Sequence, residues 1–105
     1  MRAAVIKEWG KPLAIEDVPV PTIGPGEILV KINASGVCHT DLHIWKGDWA
    51  GAKAIQEATG VRIIGHEGAG VVKEVGPGVT LFKPGDRVAV GWFNYVCGAC
   101  EYCLQ

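Results

Sequence analysis

A mainly β domain with one or two short helices is the fold this sequence predicts, and three observations predict it. Short β-branched runs recur along the 105 residues, proline and glycine fence them, and 15 glycines supply turn positions. Glycine reaches the positive φ angles that tight turns require. Short strands at this spacing indicate a sandwich or a barrel. The length suits a single core.

Taken in order, Met1–Glu8 and Leu13–Val18 read as two strands around the turn Trp9-Gly10-Lys11-Pro12. Pro19, Pro21 and Pro25 then keep the next stretch extended and out of any sheet centre. Glu27–Ala34 alternates, with Ile28, Val30 and Ile32 on one face and Lys31 and Asn33 on the other, the period of a half-buried strand. Val71–Val75 and Arg87–Val90 are further strands, bounded by Gly76-Pro77-Gly78 and Lys83-Pro84-Gly85-Asp86. Two segments break this pattern. His39–Lys46 spaces Leu42 and Trp45 three apart and stops at Gly47, which predicts a short helix. Ala52–Thr59 is rich in helix formers and is followed by Gly60, a good terminating residue.

Composition narrows the function. A net charge of −1 with no basic patch leaves no footprint for nucleic acid. No apolar run approaches the roughly 18 residues of a membrane span. Lys7 and Glu8 interrupt the start before a secretory h-region forms, which points to the cytoplasm. The apolar classes reach 49%, and adding the 15 glycines lifts the total well above the ~45–50% usual with glycine included. That excess fits a dense core or a face covered by another domain.

The four cysteines carry the strongest chemistry. Cys97, Cys100 and Cys103 form two successive C-x-x-C spacings on one tight loop. Structural zinc is held by four such ligands in a tetrahedron. Three are present; the fourth is either borrowed from another chain or, as is expected here, lies beyond the end of this one. Four cysteines also allow two disulfides with three connectivities, and a C-x-x-C can be redox-active. The first suits secreted domains, and the second wants a βαβ pattern that this sequence lacks.

A second constellation flanks the predicted strands. Cys38-His39-Thr40-Asp41-Leu42-His43 comes after one strand, and Gly65-His66-Glu67-Gly68 precedes another. Together they offer a thiolate, an imidazole and a carboxylate at strand edges, where rigid elements can aim ligands. Catalytic zinc takes three protein ligands and keeps a fourth position open. Spacing alone does not bring Cys38 and His66 together.

The motifs Gly36-Val37-Cys38-His39-Thr40-Asp41-Leu42-His43, Lys46-Gly47-Asp48-Trp49, Gly65-His66-Glu67-Gly68-Ala69-Gly70, Gly85-Asp86-Arg87-Val88 and Cys97-x-x-Cys100-Glu101-Tyr102-Cys103 cover nearly the whole chain. In that order they resemble the N-terminal part of the zinc-dependent medium-chain alcohol dehydrogenases, closest to the tetrameric branch acting on small primary alcohols. The resemblance implies a GroES-like β-barrel, residues 1–105 being an incomplete catalytic domain whose Rossmann cofactor domain lies outside the chain. It implies Cys38 and His66 as catalytic zinc ligands, with Glu67 beside the metal and able to enter its shell. Asp41 takes the position that hydrogen-bonds the ligand His. Thr40 and His43 resemble the two ends of a proton relay, His39 a contact to the cofactor pyrophosphate, and Trp49 and Trp92 the walls of a narrow substrate pocket. Cys97, Cys100 and Cys103 match three of the four structural zinc ligands.

The same resemblance implies one catalytic and one structural zinc per full-length subunit, NAD in preference to NADP, and a homotetramer. The substrates implied are small primary alcohols and aldehydes, and the 105-residue piece by itself is expected to be inactive. One segment departs from the family: 51–64 is longer than the usual proline-rich connection, has no proline, and reads as a surface helix. Two other readings compete: a free-standing zinc-stabilised interaction module on the same barrel, and a zinc-free quinone reductase of the same superfamily.

Overall fold

The structure, a computed structural model, describes residues 1–60, 62–92 and 96–104. Among the described residues strands dominate, in two antiparallel sheets. β1 (Arg2–Val5) and β2 (Ala14–Asp17) form a hairpin, paired Arg2 to Asp17 through Val5 to Ala14. The terminal ammonium of Met1 donates to the Val18 carbonyl at 2.6 Å and closes its open end. The hairpin turn is held from outside. Gly10 N–H donates to the Trp45 carbonyl at 2.8 Å, and Trp45 Nε1 donates to the Lys11 carbonyl at 2.7 Å.

The second sheet runs β3 (Ile28–Ser35), β4 (Gly68–Val75), β5 (Arg87–Val90), with β4 central. β4 begins three residues before its predicted start. Gly68, Ala69 and Gly70 have little intrinsic strand preference, but they are paired on both sides, to β3 and to β5. Gly70 has no room for anything larger, because a Cβ there would run into the Lys31 carbonyl. β3 carries register shifts after Leu29 and after Ile32. These break the simple alternation expected of it: Leu29 is half-buried with Ile28 and Val30, and Ile32 is exposed.

Among the described residues three helices complete the fold, one more than expected. α1 (His39–Lys46) has the predicted bounds, and α2 (Ala50–Thr59) starts two residues early with Trp49 preceding its first turn. α3 (Glu101–Leu104) is a single turn inside the cysteine loop. α1 ends on Gly47 in the left-handed region at φ 74°, its N–H bonded to the carbonyls of His43 and Ile44. A side chain there would also press on the Trp9 ring, 3.1 Å from the Cβ position. α2 occupies most of the 51–64 segment (Val61 lies outside the described residues), and its Lys53 ammonium sits 5.7 Å from the centre of the same Trp9 ring. Trp9 thus lies between the end of α1 and the body of α2.

Among the described residues only Val5, Ile6 and Val72 are buried apolar side chains. An open, mainly apolar cavity of about 920 Å³ is bounded by Ala4, Leu13, Val20, Leu29, Val30 and Ile63 among others. Among the described residues no helix is long and apolar enough to cross a membrane.

Candidate metal centres

The first cluster forms where α1 begins and β4 is about to begin. Gly36 N–H donates to the Glu67 carbonyl at 3.0 Å, tying the chain leaving β3 to the chain entering β4. This crossing brings Cys38, His66 and Glu67 together, with a ligand atom of each within 4.8 Å of the others. Gly36 is needed for the approach, since a Cβ would collide with the Glu67 carboxylate and come within 3.1 Å of its Cβ. Cys38 caps α1, and Asp41 one turn in supports it: Asp41 Oδ2 accepts from the Cys38 backbone N–H at 3.1 Å. The other oxygen, Oδ1, lies 3.1 Å from His66 Nδ1. Both side chains are largely buried, at 18% exposure for His66 and 11% for Asp41.

The electrostatics suit a cation. Hydrogen bonds from the Thr40 side chain and backbone hold the Cys38 thiol below its ordinary 9.0, helped by His66 and opposed by burial and by Glu67. The His66 imidazole feels burial as a downward pull, yet hydrogen bonds to Cys38 and Asp41 and their charges raise it net. Thr40 Oγ1 lies 3.5 Å from Cys38 Sγ. Trp92 stands edge-on to His66, ring centres 4.5 Å apart, and Trp49 stacks on Trp92 at 5.9 Å and 10°. The expected pocket walls therefore stand together, directly against one expected ligand.

His43 and His39 occupy the exposed side of α1, ring centres 4.9 Å apart. His43 Nδ1 pairs with Asp48 Oδ2 at 3.3 Å. Among the described residues no hydrogen bond joins His43 to Thr40, so the two expected ends of the relay are not in direct contact. Sequence reasoning gives Asp48 no role, although it stands one residue past the glycine that ends α1, where the chain doubles back.

The second cluster is the exposed cysteine loop. Cys97 and Cys103 sulfurs lie 3.7 Å apart, and Cys100 and Cys103 sulfurs 3.4 Å, with no disulfide among the four cysteines. Ligands at Zn–S distances of about 2.3 Å in a tetrahedron sit about 3.8 Å from one another. The donor set and its spacing fit that ion. Backbone N–H groups of Ala99 and Cys100 point at Cys97 Sγ at 3.5 and 3.3 Å. These two donors, aided by the Cys100 and Cys103 side chains, lower the Cys97 thiol to about 7.

The family profile described as "Alcohol dehydrogenase GroES-like domain" matches residues 24–105. The chain is 51% identical over 105 residues to an alcohol dehydrogenase of Geobacillus stearothermophilus, covering all of this chain and 30% of the relative. It is likewise 51% identical to an alcohol dehydrogenase of Schizosaccharomyces pombe, covering 98% of this chain and 29% of the relative. Among solved structures, the zinc-dependent alcohol dehydrogenase 2 of Streptococcus pneumonia in its apo form superposes with a TM-score of 0.78 at 40% identity, over 99% of this chain and 28% of that one. The alcohol dehydrogenase of the archaeon Aeropyrum pernix gives 0.74 at 36% identity, over 99% and 29%. This chain belongs to the medium-chain alcohol dehydrogenase family and carries its N-terminal GroES-like domain. It spans under a third of the length of these relatives.

Proposed function

We propose that the chain is the metal-binding portion of a zinc-dependent alcohol dehydrogenase that interconverts small primary alcohols and aldehydes with a nicotinamide cofactor. One observation carries this: Cys38, His66 and Glu67 converge within 4.8 Å, with Asp41 braced behind His66. Cys38 and His66 hold a catalytic zinc, with Glu67 beside it. Cys97, Cys100 and Cys103 hold a structural one. A zinc at the first site supplies a Lewis acid for the substrate oxygen.

The chain's own residues do the rest. Asp41 accepts the Nδ1 proton of His66, which leaves Nε2 as the ligand atom. The Thr40 hydroxyl accepts the substrate's proton as it passes its own on, and His43, on the exposed side of α1, delivers that proton to solvent. Trp49 and Trp92 limit the alkyl chain and exclude water. His39 contacts the cofactor pyrophosphate. The cofactor, NAD in preference to NADP, is carried by a Rossmann domain outside these residues, in a cytoplasmic homotetramer.

The test is metal analysis and alcohol-dependent NAD reduction by the full-length protein. Two zinc ions per subunit and activity are expected, with Cys38→Ser abolishing turnover but not folding. Metal at the cysteine loop alone, with no activity, would favour the interaction module. Activity on a quinone without zinc would favour the reductase.

A further inference from the structure

The geometry points to a third cation site, free of thiolates, on the exposed side of α1: His39 and His43 chelate a divalent transition metal, with Asp48 orienting His43. Positions 39 and 43 are four apart in a helix, which stacks their side chains on one face. The rings face each other at 4.9 Å, tilted by 35°. Two imidazoles four apart on a helix are a recurrent way of presenting nitrogen ligands to one metal ion. Both rings are exposed, so side-chain torsions can turn a nitrogen of each toward a shared ion without disturbing packing.

Asp48 makes this more than a pair of surface histidines. Gly47 turns the chain back in its left-handed conformation, and the Asp48 N–H donates to the His43 carbonyl at 3.3 Å. That places Asp48 Oδ2 3.3 Å from His43 Nδ1. The carboxylate accepts a hydrogen bond from Nδ1–H, leaving Nε2 with its lone pair outward, and adds negative charge behind the ligand. Asp48 repeats for His43 what Asp41 does for His66, on an exposed surface instead of a buried one. Imidazole nitrogens suit zinc, nickel and copper. The ion held here exchanges with solvent. While bound, it occupies both histidines assigned above to the relay and the cofactor.

Binding is read directly, so the outcome does not depend on the dehydrogenase reading. Nickel(II) is titrated into zinc-saturated full-length protein by calorimetry, with near-ultraviolet absorbance recorded in parallel. One nickel per chain is expected, without a thiolate-to-nickel charge-transfer band. His39→Gln and His43→Gln each weaken it at least about tenfold, and Asp48→Asn by several-fold to about tenfold. All three positions are exposed, and circular dichroism checks that the variants fold. The site is refuted if wild-type protein takes up no additional nickel. Wild-type affinity in both histidine variants, or a charge-transfer band placing the ion on sulfur, refutes it as well. Unchanged affinity in Asp48→Asn overturns the orienting role of the carboxylate.

Discussion

Asp41 serves two partners at once, one oxygen 3.1 Å from His66 Nδ1 and the other 3.1 Å from the Cys38 backbone N–H. One carboxylate therefore braces both the His66 ring and the helix start that presents Cys38. Asp41→Asn keeps the shape but has one acceptor oxygen for two donors. It should weaken zinc at the Cys38–His66 site by about 10–100-fold, the usual cost of losing such a partner. Competition with a chromophoric chelator measures it, with zinc at the cysteine loop as the internal control.

Gly36→Ala tests whether backbone approach places Glu67. The added methyl must displace the Glu67 carboxylate, while the backbone φ is compatible with alanine. The variant should fold and should share the phenotype of Glu67→Gln, each altering the rate of zinc exchange by about tenfold in the same direction. Zinc-65 exchange compares them. Different phenotypes would mean that Gly36 acts on something other than Glu67.

The Cys97 thiol, lowered to about 7 by the Ala99 and Cys100 N–H groups, sets a pH dependence for the metal-free protein. The folded state prefers the thiolate. Its contribution to stability is full above the ordinary thiol value of 9.0, declines below it, and is lost as pH falls through about 7. Alkylation of Cys97 by iodoacetamide, followed by mass spectrometry, should reach half its maximal rate near pH 7. Prior zinc loading should abolish the reaction, because the metal occupies the thiolate.

Trp92 is 50% exposed while its ring lies against His66. Truncation therefore removes the ring beside His66 and little core. Trp92→Ala should cost far less than the ~3–5 kcal/mol of a buried tryptophan. It should raise kcat/KM for hexanol relative to ethanol, each accommodated methylene being worth about 1–3 kcal/mol. Paired assays of the full-length enzyme and a melting curve decide between wall and packing: an unchanged ratio with a large fall in Tm removes Trp92 from the pocket.

Local features are the ones legible in the residues. α1 and β5 have their predicted bounds because a terminating glycine or a β-branched run between turn residues defines them within a few positions. The start of β4 is not legible, because the Gly68-Ala69-Gly70 segment becomes a strand through its neighbours and not its own preference. The bulges in β3 arise from pairing with β4 and leave no mark in the alternation of Glu27–Ala34. The Cys97–Cys103 cluster is legible from spacing alone, since a short loop has few ways to hold three sulfurs. Cys38 and His66 are not, because their meeting depends on a crossing between β3 and β4; resemblance supplies that pairing. The role of Asp48 is hidden for a related reason: only the reversal at Gly47 turns it toward His43.

The cavity bounded by Leu13, Leu29 and Ile63 bears on the protein's life in the cell. An apolar surface left uncovered is what chaperones hold and what drives molecules together at micromolar concentration. In any nascent or partly unfolded form that leaves it uncovered, assembly races against aggregation. Recovery of soluble material should then track growth temperature and chaperone supply more closely than the melting point of the finished molecule.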